Sequence, residues 1–266
     1  MQKTTFKIAK MDCPSEEQLV RMKLDGVAAI RSLSFDPGGR LLHVYHTGDY
    51  AEILRRLDAL RLDTVLLSSA PADGCAPASG HAGERKILLA TLAINLSFFV
   101  IESVAGFISR SMSLIADSLD MLADSIVYAL ALAVVGGTAA RKRNVARFAG
   151  YFQLALAVAG FTEVVRRFAG VEETPDFKTI ICVSLAALAA NVTCLCLLMK
   201  SRNREAHIRA STICTSNDVI INVGVIVAGL LVYLLHSRYP DLIVGAVVFV
   251  AVTVYACKIL RLSKGN

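Results

Sequence analysis

Apolar and polar positions follow two different rhythms along the 266 residues, and each predicts a different kind of structure. Up to residue 69 the apolar positions recur at strand and helix spacings. TTFKIAKM alternates as a strand, and SEEQLVRMKLDG carries Leu19, Met22 and Leu24 at helical spacing. IRSLSF and LLHVYH alternate with period two around the turn Asp36-Pro37-Gly38-Gly39, before the helical YAEILRRLDAL and a last strand, DTVLLSS. The order βαββαβ predicts a small α+β domain of ferredoxin-like type over residues 1–69. Residues 70–83, rich in Ala, Pro, Gly and Ser, read as a flexible linker. Over 84–266 the rhythm changes to long apolar runs at about 86–107, 112–136, 146–167, 178–199, 207–235 and 240–261. Each is long enough to cross roughly 30 Å of hydrocarbon, which predicts an all-α bundle of six transmembrane helices.

Composition supports a lipid-facing surface, because 55% of the residues are hydrophobic. The formal net charge of +6 does not point to nucleic acid, since the basic residues cluster beside the apolar runs. Loops 137–147 and 200–209 and the tail after Cys257 hold eleven Lys and Arg, against five in the loops on the other side. The positive-inside rule then places both termini in the cytoplasm. No uninterrupted apolar stretch opens the chain, so a cleaved signal peptide is not expected. Seven cysteines, most of them in apolar segments, do not make a disulfide framework. No nucleophile-and-base motif or nucleotide loop suggests an enzyme, and no permanent cofactor is expected.

The second apolar run is interrupted by Asp117, Asp120 and Asp124. Each costs about 2.5–3.5 kcal/mol to insert at a helix centre, so all three need compensation. Offsets of three and four set them along one helical stripe, facing a bundle interior together. In the fifth run Cys214 and Asp218 repeat the i, i+4 spacing on a second helix. Two helices with two ligands each make a four-ligand set suited to zinc-like ions. Protons compete with metal for the same carboxylates, which is the physical basis of proton-for-metal exchange. The alternative role, pairing with Lys or Arg between helices, lacks an expected countercharge within the apolar cores.

The segment NLSFFVIESVAGFISRSMSLIADSLDMLADS resembles the first two spans of the cation diffusion facilitators. ANVTCLCLLMKSRNREAHIRAS, YPDLIVGAVV and Glu163 with Arg166 and Arg167 extend the similarity over residues 84–262. The resemblance implies a six-span metal/proton antiporter in a bacterial inner (plasma) membrane, commonly homodimeric. Its partners are divalent metal ions, protons and the lipid bilayer. Zn2+ leads the implied substrates, with Cd2+, Co2+ and Fe2+ open. It further implies a transport site of Asp120 and Asp124 on span two with Cys214 and Asp218 on span five, and a possible pathway role for Asp117. Cys214 stands where the family usually has histidine, so the site mixes hard oxygens with one soft sulfur. Export from the cytoplasm also follows from the resemblance. The family's C-terminal cytoplasmic domain has no counterpart within these residues.

The N-terminal module resembles a heavy-metal-associated domain whose usual Cys-x-x-Cys loop here reads Met11-Asp12-Cys13-Pro14-Ser15-Glu16. Two readings stand side by side: Cys13 ligates metal with Glu16 or Asp12, or the module serves dimerisation or regulation. Cys194 and Cys196 diverge on a helix, and His43 and His46 face opposite sides of a strand, so neither pair predicts a metal site. Asn95, Asn191 and Asn222 read mainly as interhelical glue, whereas Glu102 is ionisable. The competing functional class is a membrane-tethered metal sensor or chaperone without transport.

Overall fold

The computed structural model describes residues 1–11, 14–36, 39–72, 81–133, 139–170, 173–200 and 217–263. The N-terminal part folds in the order β1 (Gln2–Ile8), α1 (Pro14–Leu24), β2 (Ile30–Asp36), β3 (Leu41–His46), α2 (Ala51–Asp58) and β4 (Thr64–Pro71). The strands form one antiparallel sheet in the order β2-β3-β1-β4. Alternation in β1 and β3 turns Phe6, Ile8, Leu42 and Val44 to one face, where they close a core with Val20 and Leu24 of α1 and Ile53 and Leu57 of α2. Proline suits the first turn of α1, where its missing N–H has no helical partner. Glu16 and Glu17 in the first turn and Arg21 and Lys23 in the last complement the helix dipole. His43 and His46 lie on opposite sheet faces, bonded to Thr5 Oγ1 and Thr4 Oγ1 at 2.9 and 2.7 Å.

Among the described residues six longer helices follow: α3 (His81–Ser109), α4 (Met112–Ala133), α5 (Ala139–Ala169), α6 (Phe177–Lys200), α7 (Asn217–Leu235) and α8 (Tyr239–Ser263). Among the described residues, five segments are long and apolar enough to cross a membrane: Arg85–Ser109, Asn144–Ala169, Phe177–Met199, Asn217–Leu235 and Tyr239–Arg261. The helix outside that set is α4, which carries the three aspartates. α4 packs between α3 and α8 and also meets α5 and α7. Phe107, Ile108, Phe148 and Val247 face outward and are each well over half exposed, so the outer surface of the helices is apolar.

The helices extend beyond several of the expected span limits. β4 runs to Pro71 and α3 starts at His81, so both reach into the stretch read as linker. α5 begins at Ala139, which makes most of the basic 137–147 loop helical. Hydropathy marks where lipid begins, and a hydrogen-bonded helix continues past that point until a cap stops it. Residues 207–216 of the expected fifth span lie outside the described residues.

Small residues set the closest approaches. A Cβ on Gly160 of α5 would lie 2.2 Å from Cε1 of Phe249 on α8, and one on Gly106 of α3 would lie 2.7 Å from Cγ1 of Ile115 on α4. α3 ends with Arg110 in the left-handed region (φ 59°) and Ser111 N–H donating to Gly106 C=O at 2.9 Å, which turns the chain directly into α4. The start of α4 is held from two sides. Ser111 Oγ accepts Leu114 N–H at 3.1 Å as a local cap. Asp241 of α8 accepts Met112 N–H (2.7 Å), Ser113 N–H (3.2 Å) and the hydroxyls of Ser111 (2.6 Å) and Ser113 (2.5 Å).

Candidate metal centre

Asp117, Asp120 and Asp124 lie along one side of α4, as their offsets require. Asp117 is fully buried, Asp124 is 7% exposed and Asp120 is half-buried. Asp218, in the first turn of α7, is half-buried and faces this stripe, close enough for its charge to act on all three. One turn further along α7, Asn222 donates through Nδ2 to Asp117 Oδ1 at 3.5 Å and to the Asp218 carbonyl at 2.9 Å. Asn222 therefore ties α7 to α4 between the two acidic levels. Gln153 of α5, fully buried, donates to the Leu119 carbonyl at 2.5 Å, beside Asp120.

Glu102 of α3 is fully buried with its carboxyl group near that of Asp117, and neither of its oxygens has a hydrogen-bond partner among the described residues. Its acidity was legible in the sequence, but its pairing with Asp117 was not. Ser103 Oγ donates to Ser118 Oγ at 3.0 Å in the same α3/α4 interface. Asn95 reaches from α3 to Cys194 Sγ on α6 at 3.8 Å, while Cys196 points outward and is exposed.

Among the described residues, none of Asp117, Asp120, Asp124 and Asp218 is ion-paired with Lys or Arg. Nor do any three His, Cys, Asp or Glu among them converge as a metal-holding cluster. Cys214, the expected fourth ligand, lies outside the described residues. The structure thus brings Asp120 and Asp124 opposite Asp218 without showing the sulfur.

Cys13 also lies outside the described residues, and Glu16 occupies an unexpected place. It is 1% exposed and ion-paired with Lys258 of α8. Lys258 is a cation near the end of the sixth apolar run, where no countercharge was expected. The adjacent Ser15 accepts the Tyr255 hydroxyl at 2.6 Å and is hydrogen-bonded to Asp124. Neither Tyr255, Lys258 nor Ser15 carried a sequence signal for this role, because each partner is about 240 residues away in the chain.

Residues 88–264 match the family described as cation efflux transmembrane domain. The chain belongs to the cation efflux family. Within it, the chain is 28% identical over 195 residues to the zinc transporter ZitB of Pectobacterium atrosepticum, covering 68% of this chain and 58% of that protein. It is 24% identical over 191 residues to the cadmium, cobalt and zinc/H(+)-K(+) antiporter of Bacillus velezensis, covering 65% and 60%. A third relative is the human calcium/manganese antiporter SLC30A10, 31% identical over 127 residues, covering 42% and 26%. The chain spans less than two thirds of the length of these cation efflux relatives. Family membership and five apolar helices make it an integral membrane protein.

Proposed function

We propose that this protein is a secondary transporter that moves divalent transition-metal cations, Zn2+ foremost, out of the cytoplasm in exchange for protons. The observation that carries the reading is the stripe of Asp117, Asp120 and Asp124 on the central helix α4, set against Asp218 of α7 with no Lys or Arg paired to them among the described residues. Uncompensated acids in a bundle interior mark a cation path. The names of two relatives, a zinc transporter and a cadmium, cobalt and zinc antiporter, support the substrate class.

Asp120, Asp124, Cys214 and Asp218 form the transport site in this reading. Asp117, with Glu102 beside it, lines the path on the side away from the N-terminal domain. Cation binding requires free carboxylates, so protons arriving at the same oxygens expel the cation, and rocking of the helices exposes the site alternately to the two sides. α4, the second span in chain order, completes the set of six, and both termini face the cytoplasm. Residues 1–69 are a heavy-metal-associated-like domain of ferredoxin-like type, supported by the sheet order β2-β3-β1-β4. Homodimeric assembly follows from the family resemblance alone.

The test is Zn2+ uptake into inverted vesicles driven by an acidic interior. Asp124→Asn and Asp218→Asn should each reduce uptake to the level of protein-free vesicles while the protein inserts normally. Undiminished uptake by either variant would remove that residue from the site. Deleting residues 1–80 separates this reading from a tethered sensor, since a transporter keeps measurable flux without its N-terminal domain.

A further inference from the structure

Helix α1 has two buried faces. Val20 and Leu24 close the core of its own domain. Leu19, fully buried, belongs to a different cluster with Ala123, Val127 and Leu130 of α4, Ala146 of α5, and Tyr255 and Ile259 of α8. A helix that only covers its own sheet leaves its second face in water. This one is seated on the bundle, against the C-terminal half of α4, which begins beside Asp124.

Polar contacts fix how it sits. Lys258 Nζ is ion-paired with Glu16, the Tyr255 hydroxyl donates to Ser15 Oγ at 2.6 Å, and Ser15 reaches Asp124. Arg261 at the end of α8 donates to the Leu60 carbonyl of the N-terminal domain at 3.4 Å. Glu16 thereby stands at the mouth of the carboxylate stripe, within electrostatic reach of Asp120, Asp124 and Asp218.

Three carboxylates facing a fourth repel one another, and Lys258 offsets only part of that charge. A divalent cation among Asp120, Asp124 and Asp218 reverses the sign at Glu16 from repulsion to attraction. Whatever the seated helix adds to cation binding, the bound cation adds to seating, because coupling between two sites is reciprocal.

We propose that the N-terminal domain is a lid on this mouth of the site, latched by Glu16 and Lys258, and that a bound divalent cation favours its closed position. The proposal rests on the transport reading above and assigns the domain an occluding task. An open lid admits the cation, and a closed one shields the loaded site from the side it entered, which favours the transport cycle without being required for it.

The experiment uses full-length protein in nanodiscs carrying Leu19→Cys, with maleimide labelling at position 19 followed by mass spectrometry of that peptide. Labelling should be slow, and Zn2+ should slow it further by about tenfold. The Zn2+ effect should vanish when Asp124→Asn is added. Lys258→Glu should speed metal-free labelling, and adding Glu16→Lys should slow it again by restoring the pair with opposite polarity. Hydrogen exchange of the α1 amides in the unsubstituted chain gives a second readout, with protection rising on Zn2+ addition. Labelling that is fast without metal, or insensitive to Lys258→Glu, overturns the seated helix. Zn2+ binding by the parent with no effect on labelling or exchange overturns the lid alone. A parent that binds no Zn2+ overturns both this proposal and the transport reading.

Discussion

Replacing Asp241 tests how α4, the helix that carries the acidic stripe, is anchored. The side chain is 1% exposed and accepts four hydrogen bonds, three on Oδ1 and one, from Met112 N–H, on Oδ2. Met112 and Ser113 open α4, so their N–H groups have no partner within the helix. Asp241→Ala strands both amides away from water at about 1–3 kcal/mol each. The two serine hydroxyls lose less, because they still face one another at 3.2 Å and Ser111 Oγ keeps Leu114 N–H. A net loss of about 3–4 kcal/mol follows, after allowing for partial relaxation. Asp241→Asn retains an oxygen at the Oδ1 position and loses mainly the Met112 bond, together with the charge at the helix N-terminus. Its cost is about 2 kcal/mol.

Equilibrium unfolding in mixed detergent micelles, followed by circular dichroism, measures both variants. The order parent, Asn, Ala is the expected outcome, with Asn near the midpoint. An Ala variant within about 1 kcal/mol of the parent would show that the α4 amides find other partners. An Asn variant as damaged as Ala would show that the negative charge matters more than the four-bond geometry.

Three further outcomes follow from packing and charge. Gly160→Ala should destabilise the bundle by about 1–3 kcal/mol in the same unfolding assay, since the new methyl would sit 2.2 Å from Phe249 Cε1 and must displace the ring or separate α5 from α8. Gln153→Leu should cost only about 0.6–1.7 kcal/mol, the range of single intramembrane hydrogen bonds, yet lower Zn2+ uptake more than stability if the Leu119 carbonyl contact orients Asp120. His43 is held below the usual imidazole value of 6.5 by partial burial first and then by Lys3, with Asp36 opposing. The unfolded chain therefore binds the proton more readily, so this contribution is present above pH 6.5 and is lost as pH falls through the lower folded value. His43→Gln should flatten the acid side of the N-terminal domain's stability profile, read by its thermal unfolding between pH 5 and 7.5 within the full chain.

The two parts of the molecule differ in how much of them was legible in advance. Strand and helix order in residues 1–71 came through because period-two and helical alternation are local consequences of backbone geometry. The long helices came through for the same reason, though α3 and α5 start earlier than their apolar runs, because charged side chains do not end a helix. Cys194 and Cys196 diverge as two residues apart on a helix must, one buried and one exposed. Glu16 shows where local reasoning stops. The loop resemblance offered it as a metal ligand beside Cys13, and nothing local in the sequence pointed to its ion pair with Lys258.

The sequence by itself determined that Asp117, Asp120 and Asp124 share one stripe, because a helix of 3.6 residues per turn leaves offsets of three and four no other arrangement. It also determined that this stripe had to be hidden from lipid, because charge in hydrocarbon is too costly to leave unaccompanied. Only the tertiary structure decided what hides it: Asn222 and Asp218 of α7 across from the stripe, Glu102 of α3 beside Asp117, and Ser15 and Glu16 of α1 over Asp124. The physical reason is one of range. Periodicity is set within a few residues, whereas the partner of a buried charge is set by how separate helices pack, and residues more than a hundred positions apart meet only once that packing is complete.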